Sequence, residues 1–234
     1  MEAIILVGGF GTRLRSVVSD APKPMALING RPFLEILLIE LKNKGFLKVI
    51  LCVGYLKEKI IDYFSRSSIG IEIVYSVESE PLGTGGAVKN AIHLVSTDYV
   101  YVLNGDTFQE FDPEVLTQQW TTFKSAVLLL RSPTDEQRYG SVEVDEETIV
   151  KFKTKQVSSD AYINGGVYVL PKTIFDQYEL PLRFSLEEFF ERNTSTLKMR
   201  YVIALDNRFT DIGTPLGYAR FIEVEKIRKS GGVQ

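Results

Sequence analysis

Short apolar runs and helical stripes alternate along the first half of the chain. Ala3 to Val7 is an apolar run ending in Gly8-Gly9, the pattern of a buried strand entering a loop. Leu34, Leu37, Leu38 and Leu41 then recur at i, i+3, i+4 and i+7, which predicts a helix with one buried stripe, opened by Pro32 and stopped by Gly45. Leu47 to Val53 and Ile71 to Tyr75 read as further strands, with a short helix around Glu58 to Phe64 between them. Ala87 to Val95 reads as a helix, and Tyr99 to Leu103 as a strand that breaks at Asn104-Gly105-Asp106. Fully apolar strands alternating with helices predict a parallel sheet covered on both faces.

The second half is richer in strands: Ala126 to Leu130, Ser141 to Val144, Ile149 to Phe152, Gly166 to Leu170 and Tyr201 to Leu205. Ser185, three residues before Glu188, makes a capping box at the start of a helix to Arg192. Gly217 to Lys229 reads as an amphipathic helix whose basic last turn suits its dipole. No repeat, low-complexity tract or linker interrupts the chain. The expectation is one continuous α/β domain over residues 1–234, with a nucleotide-binding half to about residue 110 and the rest a second, mixed half. Ligands of open parallel sheets bind beyond the carboxyl ends of the strands, so the loops at Gly8 to Arg13, Glu78 to Gly86 and Asn104 to Thr107 should form the site.

Composition narrows the class. Of 234 residues, 44% are apolar, enough for a sizeable core and too many for wholesale disorder. Twenty-seven Lys and Arg against 30 Asp and Glu leave a net charge of −3, which argues against a nucleic-acid backbone as main partner. The single cysteine, Cys52, rules out an intrachain disulfide. No run approaches the ~18 apolar residues of a membrane span, and the acidic start Met1-Glu2 is unlike a signal peptide. A cytoplasmic location is expected, with no membrane partner.

Gly8-Gly9-Phe10-Gly11-Thr12-Arg13-Leu14 follows the first strand directly. Its glycines let backbone N–H groups approach a phosphate, and Arg13 adds a bidentate cation. Leu14 stands where a dinucleotide fingerprint needs a third glycine, and the Gly-Lys-Ser/Thr of a P-loop is absent. In Pro22-Lys23-Pro24-Met25 the two prolines stiffen the backbone around Lys23. A cation presented so rigidly suits a catalytic phosphate contact. His93, on a predicted helix, Cys52, inside a strand, and Trp120, packed at helical spacing from Leu116, are read as structural.

These two blocks resemble the signature of sugar-1-phosphate nucleotidylyltransferases. The likeness continues through Glu80-Pro81-Leu82-Gly83-Thr84-Gly85-Gly86-Ala87, Asn104-Gly105-Asp106, Arg138-Tyr139-Gly140, Asn164-Gly165-Gly166-Val167-Tyr168 and Asp211-Ile212-Gly213-Thr214-Pro215, in the family's order and over nearly the whole chain. The resemblance implies a Rossmann-like three-layer nucleotidyltransferase fold with a mixed, mostly parallel central sheet. It also implies Mg²⁺-dependent attack of a sugar 1-phosphate oxygen on the α-phosphorus of a nucleoside triphosphate. Overall similarity runs to short bacterial members that transfer a guanylyl group to a heptose 1-phosphate, although members acting on mannose or N-acetylmuramate look similar.

Residue by residue, the resemblance puts Leu6, Gly8, Gly9, Gly11, Thr12, Arg13, Lys23, Glu80, Gly85, Asn104 and Gly105 around the nucleotide. Arg13 and Lys23 are then the catalytic cations, and Asp106 and Asp211 the magnesium ligands, completed by substrate phosphates and water. Tyr139, Gly140, Thr154, Lys155, Asn164, Gly165 and Glu187 would face the sugar phosphate. Thr154 stands where the family carries a glutamate, which leaves Lys153 competing with Lys155 for the phosphate. Glu187 is equally readable as a helix-surface carboxylate.

The resemblance places the loop headed by Glu80 against the base edge, which makes Glu80 the expected reader of the base. A carboxylate only accepts hydrogen bonds, so it matches the adjacent N1–H and amine of guanine and faces uracil, thymine or adenine unfavourably. The alternative is that Glu80 is a surface charge and backbone groups near Gly85 read the base. GTP is therefore the expected nucleotide. A non-catalytic sensor on the same fold is the competing class, and the retention of Arg13, Lys23, Asp106 and Asp211 argues against it. Whether the chain acts as a homodimer stays open.

Overall fold

The structure is a computed structural model that describes residues 1–9, 21–132, 141–153, 162–204 and 208–230. Its spine is a sheet that begins with four parallel strands. β1 (Glu2–Leu6) lies between β4 (Lys48–Val53) and β6 (Tyr99–Asn104), with β5 (Glu72–Val77) outside β4. β11 (Tyr162–Pro171) then runs antiparallel to β6 on one side and to β8 (Val127–Arg131) on the other. Beyond β8 come β12 (Arg200–Ile203), parallel to it, then β10 (Thr148–Lys153) and β9 (Ser141–Asp145), both in antiparallel pairings. β9 also returns to the start of β11, where Ile163 pairs with Ser141, so the second half curls back on itself.

Side-chain alternation along β1 shows how the layers form. Ala3 and Ile5 join one core, with α1 (Phe33–Asn43), α2 (Lys57–Ser65), α4 (Pro113–Phe123) and α6 (Pro215–Ser230) covering that face. Ile4 points the other way, into the core closed by α3 (Gly83–Ala91) and α5 (Leu186–Leu197). Helices therefore cover both faces, as fully apolar parallel strands require. Among the described residues no helix is long and apolar enough to cross a membrane.

Local signals in the sequence set several ends. Pro32 caps α1, and Gly45 takes φ +84° just beyond its C-cap Lys44. Ser185 caps α5, its hydroxyl accepting from Glu188 N–H at 3.3 Å.

Two small ladders complete the frame: β2 (Leu27–Ile28) with β3 (Arg31–Pro32), and β7 (Thr107–Gln109) with β13 (Phe209–Asp211). α3 begins at Gly83, four residues before the helix expected at Ala87, and ends in a 3₁₀ turn at Ile92–Leu94. Its glycine-rich start is held by the segment before α5: Gly85 N–H donates to Phe184 O at 3.0 Å, and Phe184 N–H donates to Leu82 O at 3.1 Å. A methyl group at Gly83, which has φ +72°, would stand 2.6 Å from Phe184 O. Left-handed strain and overpacking together make Gly83→Ala lower Tm by roughly 4–8 °C in a thermal melt. An unchanged Tm would show that this clamp contributes nothing.

Candidate active site

A cavity of about 460 Å³ opens beyond the carboxyl ends of β1, β5 and β6. Its walls include Leu6, Gly8 and Gly9 from the end of β1, Glu78 from the loop after β5, Gly83 and Thr84 from the start of α3, and Asn104 and Asp106 from the end of β6. Lys23 and Pro24 enter from one side, Arg183 and Glu187 from the other. Close approach explains two of the glycines. A Cβ at Gly105 would stand 2.6 Å from Leu6 O, and one at Gly8 would stand 2.7 Å from Glu78 Oε1.

Lys23 opens a 3₁₀ turn, Lys23–Met25, between its two prolines. Its ammonium lies 2.5 Å from Asp106 Oδ2 and 3.8 Å from Asp211 Oδ1. The β7–β13 ladder is what brings the two aspartates together, because it pairs Asp211 with Thr107, the neighbour of Asp106. Asp211 is fixed further by Gly213 N–H, which donates to its Oδ1 at 2.6 Å. Thr107 Oγ1 donates to Asp106 Oδ1 at 3.2 Å.

Two hard carboxylates converging on one cation position fit a Mg²⁺ ion, which takes one or two protein carboxylates and fills its shell with phosphates and water. Among the described residues no group of three or more His, Cys, Asp or Glu side chains converges, so their share of such a shell is this pair.

On the opposite wall Glu187 is tied in place. Its Oε2 accepts from Thr84 Oγ1 at 3.0 Å and from Ser185 Oγ at 2.9 Å, and Thr84 Oγ1 accepts from Leu186 N–H at 2.8 Å. Glu187 thus lines the cavity instead of riding on an outer helix face. Asn164 and Gly165 do not line it. The Asn164 amide donates to the fully buried Tyr168 hydroxyl at 2.7 Å and accepts from Gly166 N–H at 2.8 Å. Burial and the nearby Glu187 charge push the Tyr168 hydroxyl well above its usual range. Gly165 abuts the backbone of β8, where a Cβ would meet Leu129 O at 2.9 Å.

Neither Glu80, the expected reader of the base, nor Gly85, near which the alternative placed it, is among the residues that line the cavity. Glu80 is exposed and absent from its walls, and the Gly85 N–H is already bonded to Phe184 O. Glu78 stands there instead. β5 runs two residues further than the apolar run Ile71 to Tyr75 foretold, which carries Glu78 to the strand's end beside Gly8. Burial raises the Glu78 carboxyl, partly offset by its acceptance of Leu82 N–H at 3.2 Å. Arg183, a second cavity cation, was also missed, since an arginine in an irregular segment carries no pattern. Gly11, Thr12, Arg13, Tyr139, Gly140, Thr154 and Lys155 lie outside the described residues. His93 is exposed, while Cys52 and Trp120 are buried.

A cleft lined by strand-end glycines and by a lysine braced against two aspartates suits a phosphate-handling transferase. The chain matches the nucleotidyl transferase family over residues 2–225, and it belongs to that family. It is 46% identical, over 95% of its length and 99% of the relative's, to D-glycero-alpha-D-manno-heptose 1-phosphate guanylyltransferase of Campylobacter jejuni. It is 43% identical to the enzyme of the same name from Aneurinibacillus thermoaerophilus, over 94% of this chain and 96% of that one. Among solved structures, HddC from Yersinia pseudotuberculosis superposes with a TM-score of 0.85 at 33% identity, covering 96% of this chain and 99% of that one. That protein has also been solved complexed with GMP-PN.

Proposed function

We propose that this chain transfers a guanylyl group from GTP to D-glycero-α-D-manno-heptose 1-phosphate, giving GDP-heptose and pyrophosphate in the cytoplasm. A sugar-phosphate oxygen attacks the α-phosphorus. The bond from that phosphorus to the bridging oxygen breaks, and its electron pair leaves on pyrophosphate. The nucleophile is already an anion, so no protein base is required. The observation that carries the reaction class is Lys23 held between Asp106 and Asp211 at one end of the cavity. Both reactants are polyanions, and a fixed cation beside the α-phosphate stabilises the charge that builds there. Mg²⁺ held by the two aspartates would neutralise further phosphate charge. The two heptose guanylyltransferases that match nearly the whole chain support the choice of sugar and base. Initial rates with the four common NTPs against heptose, mannose and glucose 1-phosphates test this reading. GTP with the heptose ester should give the highest kcat/KM; a higher value for any other pair would overturn it.

Glu78 is the residue we assign to the guanine edge. It sits in the cavity wall where Glu80 does not, and its carboxylate accepts from both N1–H and the exocyclic amine. In Glu78→Gln the GTP-over-UTP ratio of kcat/KM should narrow by at least about tenfold, because the amide presents a donor as well as an acceptor. Recognition requires the ionised carboxylate, and burial raises its pKa. GTP affinity should therefore fall on acidification earlier than an ordinary carboxylate would cause, and Glu78→Gln should remove that acid limb. An unmoved base ratio would return the role to other groups.

A further inference from the structure

The position of the Lys23 ammonium conflicts with simple addition of a metal. Its side chain is 9% exposed, its Nζ is 2.5 Å from Asp106 Oδ2 and 3.8 Å from Asp211 Oδ1, and so it occupies the space a cation shared by the two carboxylates would take. Gly213 backs it: a methyl group there would collide with Lys23 Nζ and with Asp211 Oδ1. The carboxylate pair with Lys23 carries a net single negative charge. Adding a dication while the ammonium stayed would set two cations side by side in a partly buried site, where their repulsion is poorly screened.

We infer that Lys23 is the built-in counter-cation of the metal site, and that divalent metal and the Lys23 ammonium exchange there. This rests on the reading of Asp106 and Asp211 as metal ligands. Before substrate arrives, the ammonium offsets one of the two carboxylate charges and keeps the partly buried pair from standing without a counter-charge. The metal enters with the negatively charged triphosphate, and the displaced ammonium moves on its four-carbon stem to a phosphate oxygen. The prolines flanking Lys23 hold its backbone, so the stem alone moves. One side chain thus guards the empty metal site and serves the α-phosphate in the filled one. The exchange makes metal binding without nucleotide weak and couples it to the arrival of phosphate.

The test is Mn²⁺ binding in the absence of nucleotide and sugar phosphate, followed by electron paramagnetic resonance on the full chain. Lys23→Met, which keeps the bulk and loses the charge, should bind Mn²⁺ at least about tenfold more tightly than wild type. Lys23→Arg, which keeps the cation, should stay within about threefold of wild type, since the local charge is unchanged. Equal or weaker Mn²⁺ binding by Lys23→Met, with binding lost in Asp106→Asn, would overturn the exchange and leave the metal ligands standing. Absence of Mn²⁺ binding by all of these proteins would overturn both. If Lys23→Met does not fold, wild type still decides the matter. Mg²⁺ titrated into ¹⁵N-lysine-labelled protein should shift the Lys23 ammonium resonance to the frequency of a solvated lysine, and an unmoved resonance at saturating metal would contradict the exchange.

Discussion

Lys23→Ala is expected to lower kcat by roughly 10²–10³ while leaving the affinity for GTP nearly unchanged, because the charge is wanted most where the α-phosphate gains negative charge. The structure gives the reason that flexibility cannot rescue the variant. The lysine is placed by Pro22 and Pro24, and Arg183, the other cation of the described cavity wall, enters from the opposite side. Steady-state rates with saturating GTP and heptose 1-phosphate check it. A loss of less than threefold would remove Lys23 from the reaction. The same charge deletion should tighten metal binding, so turnover and metal affinity are expected to move in opposite directions. A merely misfolded variant would lose both.

Asp106→Asn and Asp211→Asn should each raise the Mg²⁺ concentration for half-maximal rate by at least about tenfold, since each removes one of two charged oxygen ligands. The two variants differ in their structural side effects. Asp211 is 13% exposed and its Oδ1 accepts Gly213 N–H, a bond that the asparagine oxygen can still take. Asp106 is 38% exposed and directly contacts Lys23, so its replacement also frees the ammonium. An unchanged metal titration in either variant would take that residue out of the metal site.

Much of this frame was readable from residue order. The apolar runs at Ala3 and Leu47 gave β1 and β4 because buried parallel strands need no polar face. Ser185 and Glu188 marked the start of α5 through chemistry confined to four residues. The cleft at the strand ends followed from the topology those runs imply.

What escaped was long-range. The β7–β13 ladder has three residues on each strand, separated by about half the chain, and no local pattern announces it. Gly83, Gly85 and Gly86 argue against a helix by propensity, yet α3 starts there because the segment from Leu182 to Phe184 packs against bare Cα atoms and accepts the free N–H groups. The same contact takes up the Gly85 N–H, one of the backbone groups that the alternative to Glu80 offers the base. Glu80 is the expectation because the resemblance puts the loop it heads at the base edge, whereas β5 runs to Val77, past the apolar run that Ser76 ends, and brings Glu78 to the cavity.

The fate of labelled phosphate in one reaction tests the account most directly. With GTP, Mg²⁺ and D-glycero-α-D-manno-heptose 1-phosphate, label in the α-phosphate of GTP should appear wholly in a sugar nucleotide, and label in the γ-phosphate wholly in pyrophosphate. Label from the γ-phosphate in the sugar product, or release of inorganic phosphate in place of pyrophosphate, would contradict it.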